Sequence, residues 1–441
     1  MDTAHERARA AAGRQSGPPD IQAGTNSAAA SPVPSFAGAP AAVPPAVAEA
    51  ATVLAGAAAS PGAASAEATS PETGPAMLRP RVASAGPLAW ARANLFGSWI
   101  STAVTLVLGA IILRVAFGFI EWAVLRAVWS VPQTPAGPDS SVCRRLNGAG
   151  ACWAVIGEKW RFILFGRYPY DQQWRPALVV ALFVSLYAAS AWRRLWRREL
   201  AYAWAMVLAA IVALMGGGLP GLSAVGTDQW GGLPLTLILA TFGLVFAFPL
   251  SVLVALGRRS KGMPAVRVLC VGYVELIRGV PLISLLFMAS VLFPLFMPQG
   301  LNPDKLLRAQ VAIILFAGAY LAEVVRGGLQ ALPKGQAEAA DALGLSYWKK
   351  MRLVILPQAL RLVIPPLVNT FIGFFKDTSL VLIIGIFDLL TAGTVALADP
   401  VWQGFATEIY LVLAAIYFVF CFAMARYSRS LETQFARAAH R

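Results

Sequence analysis

The feature that most constrains this chain is its long uncharged apolar runs; residues 233–256, for instance, contain no Asp, Glu, Lys or Arg. About 20 apolar residues in a helix match the roughly 30 Å hydrocarbon core of a bilayer. Lipid offers no hydrogen-bond partners, so an uninterrupted apolar run inside it is a helix or belongs to a closed barrel. Barrel strands alternate apolar and polar residues, and these runs do not. Charged residues make up only 13% of the chain, against roughly 25% in a soluble domain. The expected fold is therefore all-α, a polytopic helical membrane bundle.

About eight transmembrane helices are expected, at residues 99–120, 176–192, 200–219, 233–256, 268–296, 310–328, 367–390 and 409–426. The fifth is too long for one straight crossing. Its first part, VGYVELIRGVP, carries Glu275 and Arg278 and breaks at Pro281, as a separate interfacial helix would. Residues 1–85 are rich in Ala, Pro, Gly and Ser, a composition that buries too little surface to offset ordering entropy, so a disordered tail is expected. The Ala-rich stretch at 46–59 resembles a signal peptide only superficially, because no basic segment immediately precedes it.

Basic residues gather after spans two, four, six and eight, for example Arg194 and Arg197, Arg258 and Arg259, Lys349 and Lys350, and Arg426 and Arg429. The positive-inside bias then puts both termini in the cytoplasm. Lys305 and Arg308 after span five, and Arg144 and Arg145 after span one, run against that bias. The formal charge of +14 does not point to nucleic acid, since these residues form no continuous patch beside stacking aromatics. Arg114, near the far end of span one, reads as a snorkelling side chain.

Two histidines, His5 and His440, lie one in each tail, which removes His-ligated zinc, Ser-His-Asp triads and His-bound haem. Cys270 and Cys421 sit in apolar runs and read as inert. Cys143 and Cys152 lie in the connection at about 121–175, on the oxidising periplasmic side, where they could close a loop of about ten residues. Two unpaired thiols in a mobile segment are the alternative.

The most informative segment is GQAEAADALGLSYWKKMRLVILPQALRLVIPPLVN at 335–369, between spans six and seven. Residues 338–343 are mostly strong helix formers; Gly344 permits a turn, Ser346 can cap a second helix, and Pro357 is expected to interrupt it. Two short angled helices presented to the cytosol suit docking on another protein.

This segment resembles the EAA loop of ABC importer permeases: Glu-Ala-Ala, three residues, Gly, nine residues, then Ile-x-Leu-Pro. Glu338, Ala339, Ala340, Gly344, Leu356 and Pro357 stand in register, with Val354 where the family has Ile. YVELIRGVPLI, AYLAEVVRGG and FFKDTSLV extend the resemblance to amino-acid permeases over about 230–432, with Val280 where Thr is usual. It implies a five-helix permease core at 223–432, three extra spans at 86–222 and a tail at 433–441. GACW and VGTDQWGG in the extra region resemble the longer permease of general L-amino-acid or glutamate/glutamine/aspartate/asparagine importers. It further implies that 338–344 meets an ATPase subunit, and that the partners are that ATPase, a homologous second permease and a periplasmic amino-acid-binding protein. No GxxxxGK[ST] phosphate loop occurs in the chain, so ATP and magnesium are expected on the partner and no cofactor on this chain.

Lys376, Asp377, Thr378 and Ser379 are the candidate substrate contacts. Lys376 lies ten residues past Pro366, or about 15 Å into the bilayer, where a charge is costly and functional by default. An interrupted helix there would turn the hydroxyls toward a cavity, and the Lys–Asp pair would match the two charges of an amino acid. A purely structural Lys–Asp pair is the alternative. Glu323 with Arg326, and Glu275 with Arg278, read as intrahelical ion pairs. An ion-coupled carrier using Asp377 or Glu323 leaves the EAA spacing unexplained, and an intramembrane enzyme lacks a histidine base within the spans.

Overall fold

The computed structural model describes residues 86–439, except 136, 146, 147, 149, 219, 261, 299, 301 and 302. The expected disordered tail at 1–85 and the last residues of the chain lie outside the described residues. Helix α1 (Pro87–Leu95) leads to α2 (Trp99–Ile120), which a π turn extends to Leu125. A two-stranded antiparallel hairpin, β1 (Gln133–Thr134) and β2 (Gly137–Pro138), is followed by α3 (Ser141–Arg145) and α4 (Ala154–Phe165). Next come α5 (Trp174–Ala191), α6 (Arg198–Gly216), α7 (Gly232–Arg258), α8 (Pro264–Gly279) and α9 (Leu282–Phe287). The remaining helices are α10 (Lys305–Ala331), α11 (Lys334–Ala342), α12 (Tyr347–Lys350), α13 (Leu356–Leu362), α14 (Ile364–Asp377), α15 (Leu389–Ala396) and α16 (Ala406–Ala439).

Among the described residues, seven helices are long and apolar enough to cross a membrane. An eighth crossing is formed if α8 and the run Leu282–Leu295 count as one span; the two are bent by 103° at Pro281, where sequence put the break.

The bundle is organised around α7 and α10. Every residue of α7 from 232 to 241 is buried, because α4, α5, α10, α14 and α15 surround its first half. Lipid tails are as apolar as leucine, so such helices are held by close van der Waals packing rather than by exclusion of water. Gly243 shows the consequence: a Cβ there would come within 2.9 Å of Ile313 Cγ2 on α10. By contrast, no residue along α2 is buried.

Span seven is shorter than the expected 367–390. After α14 the helix tightens into a 3-10 stretch, Thr378–Ile384, and Gly385, at φ +66°, turns the chain in the left-handed region. Asp388 is fully buried and caps α15, accepting from the backbone N–H of Thr391 (2.9 Å) and Leu390 (3.2 Å). The unbroken apolar composition of LVLIIGIFDLL conceals this turn in a hydropathy reading.

Candidate functional site

The EAA segment forms a stiff bent hairpin. Helix α11 ends in a Schellman closure: the N–H of Leu345 bonds to Ala340 O (3.2 Å) and that of Gly344 to Asp341 O (2.9 Å). Such a closure needs a left-handed residue, and Gly344 supplies it at φ +70°. This is the physical reason for Gly at that spacing. The Lys350 ammonium grips the Asp341 carboxylate at 2.5 and 2.7 Å, tying the second arm to the first. Ala340 is buried while Glu338 and Ala339 face outward.

Two local expectations are corrected. Ser346 makes no side-chain cap; only its carbonyl takes part, accepting from Lys350 N. Pro357 does not interrupt the second arm. A π turn at Met351–Ile355 widens the helix just before it, so the missing N–H and the ring are accommodated, and the helical path runs on to Leu362. Sequence reasoning also missed Leu343, Tyr347 and Trp348. All three are large and mostly apolar yet exposed on the same hairpin as Glu338, with Leu343 at 79%. The signal was available, because apolar side chains flank a forced turn in an otherwise polar stretch.

The hairpin is joined to the bundle through glycine. A Cβ on Gly328 of α10 would lie 2.7 Å from Ala359 O of α13 and 2.6 Å from Val363 Cγ1, whereas one on Gly327 would meet nothing within 4 Å. Close by, Arg258 at the end of α7 donates to Glu323 of α10 (2.8 Å) and Glu275 of α8 (3.0 Å). Arg326 pairs with Glu323 within α10, as expected. The expected Glu275–Arg278 pair is not formed: Glu275 turns to Arg258, and Arg278 stacks over the Tyr320 ring at 5.4 Å. Arg259 donates to Leu329 O at 2.7 Å. Three helices are thus cross-tied at the end of the bundle that carries the hairpin. Arg258 is itself nearly buried and serves two carboxylates at once, the partly buried Glu323 and the exposed Glu275.

The KDTS segment departs from expectation. Thr378 is buried and its hydroxyl donates to Phe375 O (2.8 Å); the Ser379 hydroxyl donates to Lys376 O (2.7 Å). Both are satisfied by their own helix and not turned to a cavity. Lys376 is exposed and Asp377 half-buried. Among the described residues they do not pair, since neighbours in sequence lie about 100° apart on a helix. Phe374 packs instead on Phe316 and Tyr320 of α10, at 5.9 and 6.2 Å between ring centroids.

At the opposite end, the 121–175 connection is folded and docked. Cys143 and Cys152 form a disulfide with Cα atoms 5.9 Å apart. The Cys152 N–H donates to the buried Glu408 carboxylate (2.9 Å), the Ser140 hydroxyl to Val401 O (2.5 Å), and Arg144 to Gln403 O (2.7 Å). Lys159 meets Asp399 at 2.6 Å and holds that carboxyl below the usual aspartate range, chiefly by its hydrogen bond. The disulfide was expected from sequence; the docking partners on residues 399–408 were not legible, because each joins residues more than 200 positions apart.

Residues 247–436 match the family of the binding-protein-dependent transport system inner membrane component. The inner membrane amino-acid ABC transporter permease protein YhdY of Escherichia coli (strain K12) is 49% identical over 354 residues, covering 80% of this chain and 94% of that protein. The glutamate/glutamine/aspartate/asparagine transport system permease protein BztC of Rhodobacter capsulatus is 38% identical over 432 residues, covering 82% of this chain and 97% of its own length. The crystal structure of an amino acid ABC transporter with histidines is 31% identical with a TM-score of 0.41, covering 46% of this chain and 92% of that one. Being 49% identical to YhdY over 354 aligned residues that span nearly the whole of that permease, the chain belongs to the binding-protein-dependent transport system inner membrane component family.

Proposed function

We propose that this chain is a membrane-spanning permease subunit of an ATP-driven importer of polar or general L-amino acids in a bacterial inner membrane. Residues 223–432 form its five-helix core, 86–222 add three spans and a periplasmic connection, and both termini face the cytoplasm. ATP and magnesium sit on a partner ATPase; a homologous permease and a periplasmic amino-acid-binding protein complete the assembly. The names of YhdY and BztC support the amino-acid reading. The ion-coupled carrier gains nothing from these relatives, one named an amino-acid ABC transporter permease and the other a transport system permease.

One observation carries the reading: a single bent hairpin exposes Glu338 together with Leu343, Tyr347 and Trp348. A charged edge around an apolar knob is the surface expected to seat in a groove of another protein. Movement of the ATPase would shift α11 and, through the Gly328–Ala359 contact and the Arg258 network, reorient α7, α8 and α10. The motor need favour one state by only several kcal/mol in each nucleotide condition. Reconstituted with its partners, Glu338→Arg is expected to abolish uptake while the complex still assembles. Normal uptake would remove the coupling role.

The groups that handle substrate within the membrane are, in the same proposal, Lys376, Asp377, Thr378 and Ser379. Support for the pair is the exposed ammonium on the membrane-spanning run Ile364–Ile384. The Thr378 and Ser379 hydroxyls would have to leave Phe375 O and Lys376 O to meet substrate. The Cys143–Cys152 bridge belongs to the periplasmic side, where thiols are oxidised.

A further inference from the structure

Four basic residues oppose the positive-inside bias, and the structure accounts for Arg144 by its bonds to the carbonyl oxygens of Val401 and Gln403. It offers no such account of Lys305 and Arg308. Both lie at the start of the 27-residue helix α10, whose far end leads to the coupling hairpin, so in the import reading they stand at the periplasmic mouth. They are three apart and share a helix face. Nε and Nη1 of Arg308 are buried with no hydrogen-bond partner, an arrangement that costs a charged donor more than a neutral one.

The nearest acid in sequence does not neutralise them. Asp304, four residues before Arg308, spends its carboxylate on capping α10, accepting from Leu306 N (2.9 Å), and on the Thr227 hydroxyl (2.7 Å). Among the described residues no carboxylate lies within 4.0 Å of either cation. The Lys305 ammonium reaches across to Gly385, where it lies 3.5 Å from the position a Cβ would take; the glycine leaves it room. Gly385 closes the 3-10 stretch that begins just after Lys376 and Asp377.

We infer that Lys305 and Arg308 form a carboxylate-binding station at the periplasmic mouth, which takes the α-carboxylate of the amino acid delivered for transport. The inference rests on the import reading above. A guanidinium can donate two N–H bonds to one carboxylate and an adjacent ammonium adds a third donor, which is more specific than a bare positive patch. The α-carboxylate is the one anionic group that amino acids of every side chain share. The station is separate from Lys376: the seven residues of Thr378–Ile384 span roughly 14 Å at the 3-10 rise, longer than one amino acid. Substrate therefore meets two cationic stations in turn, first at the mouth and then within the bilayer.

The test uses the full chain assembled with its ATPase, second permease and binding protein in proteoliposomes, with the twenty radiolabelled L-amino acids as probes. If the unaltered complex carries none of them, the import reading itself falls. For an amino acid that is carried, Arg308→Met should cut uptake roughly tenfold or more, the loss expected for a charged hydrogen-bonding partner. The same variant should melt no lower than the unaltered protein, because it removes a buried charge that the protein alone leaves unpaired. Arg308→Lys should recover part of the uptake. Uptake within twofold of the unaltered complex overturns the station. So does a lowered melting temperature in Arg308→Met with no recovery in Arg308→Lys, which would make the residue structural. Loss of fluorescent binding-protein capture by the variant would assign the carboxylate to that protein instead, and would equally overturn it.

Discussion

The two adjacent glycines of AYLAEVVRGG look equivalent in sequence and are not equivalent in the fold. At Gly328 an added Cβ would sit 2.7 Å from Ala359 O, where ordinary contact begins near 3.4 Å, so the backbone of α13 would have to retreat by about 0.7 Å. The Val363 methyl group can rotate aside; a backbone carbonyl in a helix cannot. Overpacking of this kind costs about 1–3 kcal/mol, and the gain from replacing a helical glycine by alanine returns only about 0.5–1. Gly328→Ala is therefore expected to be destabilising by about 1–2 kcal/mol net. Gly327→Ala meets nothing within 4 Å and keeps the helical gain. Thermal melting of the two purified variants in one detergent should separate them by several degrees, with Gly328→Ala lower. ATP-driven uptake should fall in the same variant, because the contact transmits the hairpin's movement to α10. If Gly328→Ala melts at or above Gly327→Ala, the crossing is looser than described and the route from hairpin to bundle is wrong.

Lys376→Ala should lower uptake or change the preference among amino acids, while raising the melting temperature by removing a charge from the bilayer; unchanged rate and preference would reduce the residue to packing. Replacing Cys143 and Cys152 together by Ser opens a loop with a sequence separation of 9, worth about 2–3 kcal/mol to the docked connection by loop-closure entropy. Proteolytic nicking at 140–150 should accelerate without affecting the membrane helices, and an unchanged rate would show that the bonds to Val401, Gln403 and Glu408 suffice alone. Because Lys159 depresses the Asp399 carboxyl, the undocked form binds the proton more readily. The contact therefore stabilises docking above the ordinary aspartate value and is lost as pH falls through the depressed one. The protection factor against hydrogen exchange at 139–153, after correction for the intrinsic pH dependence of amide exchange, should be flat from about pH 5 to 8 and fall only below about 4; loosening near neutrality would point to a different group.

How much of this was legible depended on how local each signal was. The spans declared themselves through composition, and the break at Pro281 through a residue that cannot continue a helix. The glycine of the EAA spacing could be read as a turn, since the Schellman closure depends only on residues 340–345. The turn at Gly385 was masked by apolar residues on both sides, and the passage of the helix past Pro357 depended on a π turn with no sequence mark of its own. The pairing of Arg258 with Glu275 and Glu323, and the docking of the 121–175 connection on residues 399–408, join segments far apart in the chain. Spacing rules see only the nearest partner, so they assigned Glu275 to Arg278.

Helix α2 with its extension, Trp99–Leu125, is 27 residues, or about 40 Å, long, against a hydrocarbon layer of roughly 30 Å. Its C-terminal end is pinned where Ala151 N bonds to Trp122 O and Gly150 N to Arg126 O, and among the described residues its shaft touches no other spanning helix closely enough to be buried. A rod held at its C-terminal end and, near its start, by the Ser101 and Thr105 hydroxyls on the last carbonyls of α1, with no buried contact between, takes its lean in part from the thickness of the surrounding lipid. In a thinner membrane the shaft swings outward; in a thicker one it stands upright, while the rest of the bundle keeps its own angles.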